Sequence, residues 1–249
     1  MRRERLAELL RREGYLSVSE LASRFRISEA TVRRDLRALE EERRITRTHG
    51  GALFEYDELF VPFYQRHTLH QEAKRRIAKV AASLVHLGQI VYLDAGSTVF
   101  ALAEEVAERG LEGITFVTNS LPVAEVLKDL PESAVHLLGG CLLPHQLTVL
   151  GEGAELSLCA WRFDVAFLGA EAMDHEGLWN SRDEIVSFQR HVCGRSEQAI
   201  FLVDASKIGR RAPSLLLPWG IVEAVVTDAT EEQIAELGRD ARRTDWIFA

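Results

Sequence analysis

Near the amino terminus, apolar residues recur three and four positions apart, the spacing of one helix face. Leu6, Leu9 and Leu10 mark a first helix, closed by Gly14 where a left-handed residue suits a C-terminal cap. Ser17 and Glu20 form an S-x-x-E capping box, each side chain able to bond a backbone N–H left over at a helix start. The helix they open carries Leu21, Ala22 and Phe25. Arg26, Ile27 and Ser28 make a three-residue turn, and Ser28 caps a third helix with Glu29 set against the positive end of its dipole. At about 100° per residue, Val32, Leu36 and Leu39 of that helix share one narrow sector. The stretch RRITRTHGGALF then alternates apolar and polar residues, breaks at Gly50 and Gly51, and resumes, which predicts a β-hairpin. Two helices joined by a tight turn and followed by a hairpin predict a winged helix-turn-helix over residues 1–57.

Residues 58–73 lack a clean period and contain Pro62, so they predict a connector able to carry a short helix. From 74 to 249 the pattern changes to short apolar, β-branched runs alternating with amphipathic stretches. The runs are IVYLD, ITFVT, AVHLL, DVAFLG, AIFLVD and VEAVVTD, with TVFALAEEVAER and LPVAEVLKDL among the stretches between them. This rhythm predicts an α/β fold: a mostly parallel sheet flanked by helices on both faces, behind a small N-terminal head.

Charge divides the chain along the same line. Residues 1–53 hold 13 Lys+Arg against 9 Asp+Glu, or +4, and the remainder holds 17 against 29, or −12. A basic head on an acidic body points to a polyanionic partner for the head alone. No apolar run approaches the roughly 18 residues needed to cross a bilayer, and Glu8, Arg11 and Arg12 interrupt the leucines after Met1, so the expectation is a soluble, cytoplasmic protein. Cys141, Cys159 and Cys193 are odd in number and widely spaced, which supports neither a disulfide framework nor a C-x-x-C metal knuckle.

On the third helix Arg34 and Arg37 point away from the apolar sector, with Ala30 beside them and Thr31 and Arg33 on the flanks. The outward face is small and cationic. It suits the major groove of DNA, where Arg reaches guanine edges or phosphates and Thr bonds either. A solvated surface helix would share the geometry, but the hairpin directly after the helix pair favours DNA. On that hairpin Arg44, Arg47 and His49 are placed for the flanking phosphates or the minor groove.

In the body, ligands collect at the carboxyl ends of parallel strands. After IVYL stand Asp94, Ala95, Gly96, Ser97 and Thr98, a strand end leading into a helix, where free N–H groups, a hydroxyl and the helix dipole can hold an anion. Thr118, Asn119 and Ser120 follow the next strand, Gly139 and Gly140 the third, and Asp204 to Lys207 end a later one with a cation. Small polar residues populate any strand-to-helix turn, so each group alone is a weak signal. Together they point to a ligand bearing a phosphate and hydroxyls.

SVSELASRFRISEATVRRDLRALEEERRITRTHGGAL closely resembles the amino-terminal motif of the DeoR family of bacterial transcription regulators, including its Ser-x-x-Thr-x-Arg-Arg-Asp-Leu core and Arg-x-His-Gly-Gly-Ala wing. The resemblance implies a winged helix-turn-helix regulator, commonly a repressor of sugar catabolism genes, with Ser28, Thr31, Arg33, Arg34 and His49 as DNA contacts. LDAGST, VTNSLPVAEVL, LLGG, FDVAFLG and DASKIG look like the sensor domain of the same family, similar in fold to ribose-5-phosphate isomerase and thought to bind phosphorylated metabolites. Carried over by position, Asp94, Gly96, Ser97, Thr98, Thr118, Asn119, Gly140 and Lys207 become effector contacts. Ser97 stands where threonine is commoner and keeps the hydroxyl. Gln189 stands where a helix lysine is usual and loses a charge, which bears on effector choice. The final segment, RRTDWIFA, matches nothing in that pattern.

The resemblance in fold invites an alternative, a sugar-phosphate isomerase with an accessory DNA-binding head. Aldose–ketose isomerisation needs a general base, an electrophile and usually a positioned lysine. The corresponding stretch, GAEAMDHEGLWNS, offers Glu171 and Asp174 but neither lysine nor glycine run. His136, Cys141 and His145 lack a convergent fourth partner for zinc, and no Walker-type loop or G-x-G-x-x-G is present, so no metal or cofactor is expected. The reading is a ligand-gated DNA-binding repressor, not an enzyme, acting on an operator as a homo-oligomer, dimer or tetramer.

Overall fold

The computed structural model describes residues 2–13, 15–41, 45–47, 51–54, 63–144 and 146–249. The chain divides into two compact units, residues 1–61 with 210–213 and residues 62–209 with 214–249.

The head contains α1 (Arg2–Glu13), β1 (Tyr15–Ser17), α2 (Val18–Phe25), α3 (Glu29–Glu41), β2 (Ile45–Arg47) and β3 (Gly51–Phe54). The expected capping box is present: Ser17 Oγ accepts from the Glu20 N–H at 3.2 Å, and Glu20 Oε2 accepts from the Ser17 N–H at 2.8 Å. Arg26 then takes a left-handed conformation (φ 53°), which ends α2 and turns the chain into α3. Leu6, Leu10, Leu21, Val32, Leu36 and Leu39 close one core, each fully buried leucine contributing about 2 kcal/mol. The hairpin strands pair as expected, Ile45 opposite Phe54 and Arg47 opposite Ala52. The sequence pattern did not predict β1, which adds a third strand through Leu16 opposite Ala52. Three residues are too few for alternation to register. Gly14, the expected cap of α1, lies outside the described residues.

The body begins with two helices, α4 (Phe63–Thr68) and α5 (Gln71–Ala82), so the described part of the expected connector is helical and groups with the larger unit. Phe63 explains this, because burying its ring anchors α4. Next come β4 (Ile90–Leu93), α6 (Ser97–Arg109), β5 (Thr115–Thr118), α7 (Leu121–Leu127) and β6 (Ala134–Leu137). A hairpin, β7 (Cys141–Leu143) and β8 (Thr148–Leu150), leads to α8 (Glu152–Leu158) and the long strand β9 (Phe163–Gly169). Two short strands, β10 (Ala172–Met173) and β11 (Gly177–Asn180), precede α9 (Asp183–Cys193) and β12 (Ser196–Leu202). The chain closes with β13 (Ser214–Pro218), β14 (Ala224–Thr227), α10 (Glu231–Glu236) and β15 (Asp245–Phe248).

Seven strands form one parallel sheet in the order β15-β14-β12-β9-β4-β5-β6. Successive side chains of a strand face opposite sides, and the sheet builds two cores accordingly. Val91, Phe116, Val165, Phe167, Ile200 and Val226 pack with α5, α6 and α7 on one face. Tyr92, Val117, Ala166, Leu168, Phe201 and Val225 pack with α8, α9 and α10 on the other. The six expected strands all lie in this sheet. The seventh, β15, comes from the unassigned terminal segment and runs along β14 at the sheet edge, half-exposed, where burial imposes no apolar run. The antiparallel β10-β11-β13 sheet and the β7-β8 hairpin were likewise not legible.

Candidate nucleic-acid interface and effector crevice

Helix α3 buries Val32, Asp35, Leu36 and Leu39 and exposes Ala30, Arg33, Arg34 and Arg37. The cationic outer face expected from the helical wheel is thus formed. Thr31 is half-buried, and its N–H donates to Ser28 Oγ at 3.2 Å while the two hydroxyls meet at 2.9 Å. Ser28 therefore caps α3 and orients Thr31. Arg33 makes an i,i+4 pair with Glu29 at 2.6 Å, solvent-exposed and worth only about 0.3–0.5 kcal/mol, so a phosphate can displace it. Arg44, His49 and the side chain of Arg47 lie outside the described residues.

One head residue, the Asp of the Arg-Arg-Asp-Leu core, has a role that its place in that motif did not disclose. Asp35 sits at the core edge of α3 and is 1% exposed; its carboxylate takes a bidentate bond from Arg2 of α1 at 2.6 and 2.9 Å, with Arg3 at 3.6 Å. The hydrogen bonds from Arg2 hold the Asp35 carboxyl below its ordinary range against the opposing cost of burial. The pair fixes the roll of α3 on α1, and with it the direction of Arg34 and Arg37.

In the body, strand order reverses between β4 and β9, the topological switch point where a parallel sheet leaves a crevice at its carboxyl edge. Asp94 stands there, 6% exposed. Its N–H donates to Phe167 O at 3.1 Å, and its Oδ2 accepts from Gly169 N at 3.2 Å and from Gln189 Nε2 at 2.7 Å. Burial raises the Asp94 carboxyl above its usual range, while bonds from Ala95, Gln189 and Gly169 and the charge of Arg66 pull it back. Gln189 is itself buried on α9; its Nε2 also donates to Gly169 O at 2.8 Å and its Oε1 accepts from Asn180 Nδ2 at 3.0 Å. Where a lysine would pair as an ion, this amide bridges three elements with neutral bonds.

Next to Asp94, Gly96 caps α6 without any side-chain bond, the kind of helix N-terminus whose first-turn N–H groups suit an anion. Ser97 and Thr98 are buried in that turn. At the end of β12, Lys207 is half-buried in a single helical turn behind Asp204. Asp204 is 2% exposed; its Oδ1 accepts from Ser206 N at 3.1 Å, and its Oδ2 has no bond among the described residues. Lys74 and Glu171 join the same electrostatic cluster, and neither was singled out as an effector contact. Burial lowers the Lys74 ammonium to about 8, with Asp204 opposing and Lys207 and Arg66 reinforcing the shift. Burial raises the half-exposed Glu171 carboxyl, which Ser181, Arg66, Lys207 and Arg182 pull back down. No short sequence motif joins these residues, because the sheet brings them together from distant positions.

Three expected contacts have other work in the fold. Thr118 is fully buried, its hydroxyl donating to Leu93 O at 2.6 Å and accepting from Ser120 N at 3.0 Å. Asn119 is also buried, its Oδ1 accepting from the Tyr92 hydroxyl at 2.9 Å and its carbonyl from Val149 N at 2.7 Å. Gly140 has φ 143°, and a Cβ there would fall 2.6 Å from Leu150 O. Backbone packing against β8 and α8 accounts for that glycine. Cys193 is half-buried, and burial pushes its thiol up to about 12, so it stays protonated. Among the described residues, no group of three or more His, Cys, Asp or Glu gathers as a metal site.

Comparison with known proteins accounts for both units. Residues 2–57 match the DeoR-like helix-turn-helix domain, and residues 69–229 match the DeoR C-terminal sensor domain. The chain belongs to the DeoR family. The glycerol-3-phosphate regulon repressor of Escherichia coli (strain K12) is 32% identical over 225 residues, covering 90% of this chain and 88% of that protein. The lactose phosphotransferase system repressor of Streptococcus mutans is 32% identical over 237 residues, covering 93% and 92%. Among solved structures, ribose 5-phosphate isomerase A of Methanocaldococcus jannaschii is 20% identical with a TM-score of 0.40, covering 55% of this chain and 54% of the isomerase. The chain thus spans about half the length of that enzyme. These DeoR-family relatives are named as repressors, and this DeoR-family chain is a regulator rather than an enzyme.

Proposed function

We propose that α3 of this DeoR-family regulator enters the major groove of an operator through Ser28, Thr31, Arg33, Arg34 and Arg37, with Arg44, Arg47 and His49 of the wing on the flanking backbone. The crevice at the switch point binds a small phosphorylated polyol or sugar, and occupancy releases the DNA. The observation that carries this reading is the pairing of a cationic helix face on the head with a glycine-capped helix N-terminus and a half-buried lysine at strand ends of the body. Gly96, Ser97, Thr98 and Lys207 hold the anion. Asp94, positioned by Gln189, accepts from ligand hydroxyls. Thr118, Asn119 and Gly140 shape the crevice floor from behind.

The relatives' names, tied to glycerol 3-phosphate and to a lactose phosphotransferase system, support the ligand class. A homo-oligomer in the cytoplasm follows from the DNA reading, since one small head with few phosphate contacts binds too weakly at physiological salt. The test is a titration of DNA from upstream of the chain's own gene, with and without glycerol 3-phosphate, ribose 5-phosphate and glucose 6-phosphate. Salt-sensitive binding that at least one of these weakens is the expected result. Equal affinity for upstream and random DNA, or indifference to all three compounds, overturns it.

A further inference from the structure

Helix α4 is the first described element of the body after the unit boundary, and two sets of contacts tie it to the crevice. The first is aromatic. Phe63 and His67 pack edge-on against Phe100 with ring centroids 5.1 and 5.0 Å apart. Phe100 lies in the first turn of α6, its N–H donating to Gly96 O at 2.8 Å. The ring platform under α4 is therefore built on the same turn that opens the crevice. The second is a clamp. Lys74 of α5 is 5% exposed, and its ammonium donates to Arg66 O and, at 2.7 Å, to Leu69 O, the carbonyls at the C-terminal end of α4.

The same ammonium is coupled electrostatically to Asp204 and Lys207, and the charge of Arg66 on α4 to Asp94 and Glu171. An anion beside Lys207 therefore competes with the α4 carbonyls for Lys74. A phosphate oxygen is the stronger acceptor, because its negative charge adds an ion-pair attraction to the ammonium that a neutral carbonyl lacks.

We propose that α4 is the relay by which the crevice governs the head: an anion seated at Gly96–Thr98 and Lys207 draws the Lys74 ammonium off Arg66 O and Leu69 O, and α4 shifts on Phe100. Lys74 and Phe100 are then positioning residues for the switch. The inference rests on the effector reading above, and it supplies the element with two arrangements that coupling between sites requires.

A pure binding residue and a relay residue differ in one measurable respect. Losing the first raises the effector concentration needed, whereas losing the second lowers the effect at saturation. The experiment uses the full chain, the upstream DNA fragment and the three phosphorylated compounds named above, and reads the ratio of operator affinities without and with saturating compound. In the wild type the ratio is expected at about tenfold or more. Lys207→Ala should need more compound yet reach the same ratio, while Lys74→Met should fall below about threefold. Because Lys74→Met can weaken the fold, Phe100→Leu, which keeps apolar volume but removes the ring platform, is measured in parallel and should also lose most of the ratio. Wild-type ratios in every folded variant overturn the relay and leave the effector reading standing. A wild-type chain indifferent to all three compounds overturns both.

Discussion

Gln189 gives both amide hydrogens away, to Asp94 and to the Gly169 carbonyl, and takes one bond from Asn180. A flipped amide would set its oxygen against a carboxylate and a carbonyl, so its orientation is fixed. Gln189→Leu leaves buried polar partners unmatched and should cost roughly 2–4 kcal/mol, read as a lower urea midpoint with unchanged slope. Lys74 permits a pH prediction. Its folded value of about 8 lies below the ordinary 10.5, so the native chain binds the proton less tightly than the unfolded chain. Its contribution is fully present above 10.5 and is lost as pH falls through about 8. The unfolding free energy of the wild type, relative to Lys74→Met, should therefore rise between pH 7 and 10.5 by at most about 3 kcal/mol. A flat difference across that range would contradict the buried ammonium.

Helix α3 is aimed by residues that cannot touch DNA. Asp35 is buried beneath it, and its bidentate bond to Arg2 sets which side faces out. Because the carboxyl is held below its ordinary 3.8, the stability it contributes is present above that value and is lost as pH falls through the lowered one. Asp35→Asn should lower the stability of the head at pH 7, with the deficit shrinking on acidification, as followed by chemical denaturation. Arg34→Ala tests the exposed side of the same helix. It should cost about 1–3 kcal/mol of preference for operator over random DNA while leaving the thermal shift by a phosphorylated ligand unchanged. Undiminished discrimination would show that Arg34 does not read bases.

At the scale of the molecule, a head of charge +4 and a body of charge −12 divide the labour. Affinity for DNA should fall linearly in log–log terms as salt rises, with a slope near −0.9 for each phosphate neutralised. Arg37→Ala should make that slope shallower by about one for each site occupied, measured by anisotropy over a salt series.

The amino-acid order alone determined the helix-turn-helix, the hairpin wing and six of the seven strands of the main sheet, because period and capping are local properties. It also marked Asp94, Gly96 and Lys207 by their places after strands. Short or edge strands such as β1 and β15 left too little pattern to read. Only the tertiary structure decided that Thr118 bonds the β4 backbone and that Gly140 packs against β8. The same holds for the joining of Asp35 to Arg2 and of Gln189 to Asp94, and for the bonds from Lys74 to the Arg66 and Leu69 carbonyls. The longest of those relations spans 95 positions, and burial in a shared core, which no local window contains, is what brings such residues within bonding distance.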